Sequence, residues 1–165
     1  MQGCYSNVNY MIWLFSTNDI NIIITHDTKK HVTPYANYTT LGTNFHISFV
    51  YSKCKANMRR DLWEDLVSFS NNNKGPWRVV GDFNWISKVM KKQEGTPYRL
   101  EKGFEFLNFM EDVSVKEACF DGNIFTWYNN RDPPSTIWRR LDKMVSHFYK
   151  PIVSHLARTY SDHVP

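Results

Sequence analysis

Cysteine is scarce in this chain and poorly placed for pairing: Cys4, Cys54 and Cys119 are odd in number and far apart. That excludes a disulfide framework and a zinc knuckle, and reads as reduced thiols in an intracellular protein. No apolar run reaches the roughly 20 residues of a membrane-spanning helix. The N-terminus lacks the basic-then-apolar order of a secretory signal. No repeat, low-complexity tract or linker divides the 165 residues, so the expectation is a single domain or part of one over 1–165. Glutamate comes late, the first being Glu64.

What is present argues for a packed core, with 42% hydrophobic and 16% aromatic residues. The formal net charge of +4 suits a polyanionic partner such as nucleic acid without demonstrating one. Two apolar runs, Tyr10–Phe15 and Ile20–Thr25, flank Ser16-Thr17-Asn18-Asp19 and predict a hairpin, with a weak strand near Val32–Tyr38. His26 and His31 read as solvated turn residues, since no partner spacing supports a metal site. In Phe45–Tyr51, alternation puts Phe45, Ile47, Phe49 and Tyr51 on an inward face, with the Tyr51 hydroxyl at its rim. Met58, Leu62, Leu66 and Phe69 make a helical stripe over Asn57–Ser70, with Asn57 as N-cap. A second helix is expected between Leu100 and Val113, burying Phe106, Leu107, Met110 and Val113. A strand is expected over Ile124–Tyr128, and another strand or a short connection over Ile137–Ser146.

The stretch Trp77–Trp85, WRVVGDFNW, has the make-up of a reactive site. A short valine-rich strand runs through Gly81 into Asp82-Phe83-Asn84. In extended backbone, Asp82 and Asn84 face one pocket while Phe83 turns to the core. A carboxylate takes a proton or holds a cation, and an amide donates to a phosphate oxygen without adding negative charge. The same residues also suit a plain turn that closes a buried strand.

GDFN at 81–84, FTW at 125–127, RRLDK at 139–143 and SDH at 161–163, in that order, resemble the endonuclease/exonuclease/phosphatase superfamily. FVYSKC at 49–54, RRDLWEDL at 59–66 and FDGNIFTWYNNR at 120–131 resemble the endonuclease domain of plant LINE-type (non-LTR) retrotransposons. The resemblance covers essentially the whole chain. It implies a DNase-like α/β sandwich of mixed, largely antiparallel sheets flanked by helices, and Mg²⁺-dependent (or Mn²⁺-dependent) nicking of DNA. It further implies an intracellular, nuclear setting, with DNA as partner and neither a membrane nor an obligate protein partner. Carried over by motif, Asp82 handles the attacking water, Asn84 holds the scissile phosphate, and Tyr51 lies on the phosphate side. Asp142 orients His163, and Asp162 stands beside the metal together with Asp82. Thr126, Arg139, Lys91 and Lys92 are expected near the nucleic-acid backbone.

The chain departs from the family pattern in three ways. It starts after the family's opening asparagine strand and the motif whose glutamate is the principal metal ligand. It stops at SDHVP, where the family continues, and LDK replaces the usual LDR. The expectation is therefore an incomplete copy of the fold, marginally stable, prone to aggregate and of little or no activity. Two other functions stay open. One is a phosphatase or abasic-site nuclease of the same fold. The other is a non-catalytic relic binding nucleic acid through Lys53, Lys55, Lys88, Lys91, Lys92, Arg139 and Arg140.

Overall fold

In a computed structural model that describes residues 3–85, 92–93, 104–147 and 152–154, the chain folds in the order its alternating segments dictate. Strands β1 (Gly3–Ser6), β2 (Trp13–Ser16), β3 (Ile20–Asp27), β4 (His31–Tyr38) and β5 (Thr43–Tyr51) come first. A 3-10 turn (Ala56–Met58) leads into helix α1 (Arg60–Asn72), strands β6 (Trp77–Asp82) and β7 (Lys92–Gln93), and helix α2 (Phe104–Asp112). Short strands follow: β8 (Lys116–Glu117), β9 (Cys119–Asp121), β10 (Trp127–Tyr128), β11 (Trp138–Arg139), β12 (Asp142–Ser146) and β13 (Ile152–Ser154). Among the described residues no helix is long and apolar enough to cross a membrane.

The main sheet has the order β3-β4-β5-β6-β12-β8. Only β5 and β6 run parallel, because α1 forms the crossover between them; the other pairs are antiparallel. Smaller sheets join β1 to β2, β10 to β11 and β7, and β13 to β9. This is the mixed, largely antiparallel α/β architecture expected.

Helices α1 and α2 cover one face of the sheet. Leu62, Trp63, Leu66 and Phe69 of α1 meet Phe106 and Phe109 of α2 over Val50, Trp77, Val79 and Val145. Trp63 stacks against Phe109 and Phe83, with ring centroids 5.1 and 6.1 Å away, and Phe106 packs edge-on between them. Rings of this size contribute most of the burial in a small core.

Several expectations need correction. The run from Tyr10 does not form a hairpin with Ile20–Thr25; β2 folds back onto β1, and β3 pairs with β4. Asn7 decides the first pairing, because its side-chain oxygen accepts from the amides of Met11 and Ile12 at 3.0 and 2.9 Å. The Thr28 hydroxyl decides the second by accepting from the amides of Lys30 and His31. His31 is thus not a solvated turn residue. It is buried in β4, its Nδ1 3.2 Å from the Thr33 hydroxyl, while His26 stays exposed with its ring against Phe69.

The period of β5 is as expected but its faces are exchanged. Ser48 and Val50 lie under α1, whereas Phe45, Ile47 and Phe49 line a groove on the opposite side. The polar Ser48 is tolerated inside because its hydroxyl accepts from Trp77 Nε1 at 2.9 Å and lies 2.6 Å from the Thr33 hydroxyl. Helix α1 starts at Arg60, not at an Asn57 cap, and Met58 and Leu107 are exposed rather than buried. Of the strand expected over Ile124–Tyr128 only Trp127–Tyr128 forms, and Ile137–Ser146 is broken into β11 and β12.

Candidate active site

Three of the residues singled out meet at one end of the main sheet. In register, Tyr51 of β5 pairs with Asp82 of β6, and Asp82 with Asp142 of β12. Cross-strand partners project to the same face, so Tyr51, Asp82 and Asp142 form a row of one phenol and two carboxylates. The row lies on the side away from the helices, since Val79 on β6 and Val145 on β12 belong to the helix-covered core. All three side chains are half-buried.

Gly81 makes this row possible. Its φ is +137°, and a Cβ there would collide with the carbonyl oxygen of Val50 in the neighbouring strand. After Asp82 the strand ends. The Phe83 amide donates to the Leu141 carbonyl at 3.2 Å, while its ring is buried in the aromatic core. Asn84 takes the left-handed conformation, φ +47°, and folds back onto Asp82. Its amide nitrogen donates to Asp82 Oδ1 at 2.7 Å, and its Nδ2 donates to Asp82 Oδ2 at 2.6 Å and to the Ser52 carbonyl at 2.9 Å. The Cys54 thiol donates to Asn84 Oδ1 at 3.3 Å. Two acceptors on one side and a donor on the other fix the orientation of this amide. The turn reading of Asp82-Phe83-Asn84 is therefore met. In this geometry, however, Asn84 supports Asp82 and does not extend beside it.

Thr126 requires a correction as well. It is fully buried, and its hydroxyl accepts from the amides of Leu141 and Asp142 at 3.0 and 3.1 Å. It holds the start of β12 and presents nothing to a nucleic-acid backbone. Arg139 is half-buried with its guanidinium 5.4 Å from the Trp127 ring, and its neighbour Arg140 pairs with Glu117 at 3.2 Å. Lys92 pairs through its backbone with Arg139 across β7 and β11. Lys91, Asp162 and His163 lie outside the described residues.

Two supports escaped the reading of the sequence. Arg59, whose charge suggests solvent, is buried and donates to the Lys53 and Cys54 carbonyls at 3.2 and 2.8 Å, in the segment that follows Tyr51. Lys143, noted only as a departure from LDR, is buried and donates to three carbonyls beside Asp82 and Asp142. The alternation of β12 carried a signal for Lys143, because the residue after an outward Asp142 must point inward.

Asp82 and Asp142 offer two carboxylates, fewer ligands than a metal site built by the protein alone would need. Directly opposed carboxylates repel, and Mg²⁺ takes one or two carboxylates while keeping most of its waters. Among the described residues no three His, Cys, Asp or Glu side chains converge, so water would fill most of the coordination sphere.

No protein-family model matches this sequence, and no curated protein matches it by sequence. Solved structures do match in fold. The endonuclease domain of TRAS1, a telomere-specific non-LTR retrotransposon, superimposes with a TM-score of 0.63 at 14% identity, over 81% of this chain and 58% of that one. An endonuclease/exonuclease/phosphatase family protein from Bacteroides thetaiotaomicron gives 0.63 at 13% identity, over 92% and 65%. A mannosyl-6-phosphatase from the same organism gives 0.60 at 14% identity, over 92% and 67%. This chain thus spans about three-fifths of the TRAS1 domain's length. Its fold is that of the endonuclease/exonuclease/phosphatase proteins, represented in part.

Proposed function

We propose that this chain derives from the DNA-nicking endonuclease domain of a plant LINE-type retrotransposon. Its chemistry is hydrolysis of a phosphodiester by water with Mg²⁺ or Mn²⁺. The observation that carries this reading is the row of Tyr51, Asp82 and Asp142 on adjacent strands, in a fold shared with the TRAS1 endonuclease domain. The plant LINE lineage rests on the likeness of FVYSKC, RRDLWEDL and FDGNIFTWYNNR, which lie largely outside the row.

Each group has a task that its position suits. Asp82, held by two donations from Asn84, accepts a proton from the attacking water. Asn84 turns an N–H toward the phosphate by giving up its bond to the Ser52 carbonyl. The Tyr51 hydroxyl donates to a phosphoryl oxygen, and the nearby Lys53 ammonium, 5.8 Å from the Tyr51 ring, adds positive charge there. Asp142 orients His163, whose charged form donates toward the leaving oxygen. Asp162 and Asp82 would hold the cation, which when bound relieves charge on the phosphoryl oxygens. Arg139, Lys91 and Lys92 contact the DNA backbone, and the protein works in the nucleus.

Assayed as these 165 residues, the polypeptide nicks DNA feebly or not at all, because Asp82 and Asp162 are the only carboxylates proposed to hold the cation. A plasmid-nicking assay with Mg²⁺, run on this chain and its Asp82→Ala variant, tests both statements. Strong nicking abolished by the substitution overturns the inactive reading and supports the site. Nicking unaffected by the substitution removes Asp82 from the chemistry. The mannosyl-6-phosphatase likeness favours a second reading, hydrolysis of a phosphomonoester on the same row. Release of phosphate from a sugar phosphate, with intact plasmid, would select it. Salt-sensitive DNA binding that persists in EDTA and after Asp82→Ala would select a non-catalytic nucleic-acid binder.

A further inference from the structure

We infer that Lys143 is a positioning residue: its buried ammonium clamps the turn that follows Asp82 to the start of the strand that carries Asp142. The inference deepens the proposed site, and rests on it in taking that carboxylate row as the reactive one.

Lysine is almost never fully buried without a specific use, yet Lys143 is 3% exposed. An ammonium has three N–H donors and no acceptor. Here all three have destinations, the carbonyl oxygens of Trp85, of Arg140 at 3.0 Å and of Leu141 at 3.2 Å. The first belongs to the segment just past Asn84, the other two to the segment just before Asp142. One cation, 58 residues along the chain from Trp85, therefore joins these two segments. The Leu141 carbonyl also accepts from the Phe83 amide, so the clamp grips the same joint from both sides. The rings of Trp85 and Phe106 lie 5.8 and 6.0 Å from the ammonium and supply a negative π-face.

The register explains why the clamp bears on the site. Lys143 pairs across the sheet with Gly81, while its neighbour Asp142 pairs with Asp82. The two residues point to opposite faces, so the clamp works from the helix side while the carboxylates face the other way. A shift at this joint would move Asp82 relative to Asp142 without unravelling the sheet.

The test is amide hydrogen exchange by NMR on the whole chain and on Lys143→Met, which keeps the length and loses the donors. The expected result is exchange about tenfold faster at the Phe83 and Asn84 amides, with the Val79 and Val145 amides of the sheet interior unchanged. Unchanged exchange at Phe83 and Asn84 overturns the proposal. A uniform increase at all four amides also overturns it, because that is the mark of general destabilisation. Should Lys143→Met fail to fold, the wild-type chain decides through its lysine ammonium signal. A visible Nζ–H resonance for Lys143, slowed in exchange by its three bonds, supports the clamp, and its absence under conditions that show the core amides refutes it. Neither measurement needs catalysis. A chain that nicks no DNA thus leaves the clamp testable, and a failed clamp leaves the carboxylate row standing.

Discussion

Gly81 is the residue at which the site is most exposed to a single change. Any Cβ meets the Val50 carbonyl, and φ of +137° is a conformation that only glycine adopts readily. Gly81→Ala should cost at least about 2 kcal/mol and lower the midpoint of urea unfolding at unchanged slope. A midpoint equal to wild type would mean that the strand relaxes away from Val50. His31 offers a second test, in pH. Burial is the main cause that lowers its titration from 6.5 to about 4, with His26 pushing the same way and Asp27 opposing. The unfolded chain therefore binds the proton more readily than the folded one. Stability from this group is full above pH 6.5 and is lost as pH falls toward 4, by about 3 kcal/mol in total. Asp65, whose Oδ2 lies 4.0 Å from His31 Nε2, is raised mainly by burial and offsets part of the loss. Thermal unfolding from pH 7 to pH 4 should show the decline in wild type and a shallower one in His31→Gln. Equal slopes in both would assign the acid sensitivity elsewhere.

The elements that carry the site illustrate what the sequence could disclose. GDFN and LDK were legible as an ordered pair, and the register of β6 with β12 brings Asp82 and Asp142 side by side. The faces of β5 were not legible, because both of its sides carry residues that tolerate burial. The choice was made by α1, which covers Ser48 and Val50, and by the Trp77 indole, which satisfies the serine. The role of Thr126 was hidden for a related reason: a threonine in FTW gives no sign of whether its hydroxyl meets a phosphate or two amides of a distant strand. Arg59 and Lys143 were hidden because charge suggests solvent, and only three-dimensional placement supplies the carbonyls that make burial tolerable. At the sheet's edge the pattern is plainer. Strand β3 has a neighbour only in β4 among the described residues, and Ile23 is 68% exposed on it. An apolar side chain on an unprotected edge invites pairing with another chain. Ile23→Lys should change stability by no more than about 0.5 kcal/mol while reducing aggregation on heating, read by light scattering. Unchanged scattering would move the sticky surface away from this edge.

Taken whole, the described residues have one sheet face sealed by helices and another left largely open. On the open side a groove of about 460 Å³ runs between the β1–β2 hairpin and the sheet, lined by Trp13, Phe15, Phe45, Ile47 and Phe49 among others. Tyr10, Met11, Trp13 and Phe15 are exposed on that hairpin. A net charge of +4 on 165 residues gives only mild self-repulsion, and it vanishes near the pI of 8.9. Two forces thus act on one molecule with opposite responses to salt. Added salt screens the repulsion between copies and strengthens apolar association, whereas it weakens contacts between lysines or arginines and phosphates. Raising sodium chloride from low to high concentration at pH 7 should therefore increase the sedimentation coefficient of the free chain and release bound DNA. Moving to pH 9 at low salt should raise self-association in the same way. Sedimentation that instead falls as salt rises would show that copies of the chain meet through charge, and that the open apolar face is not what joins them.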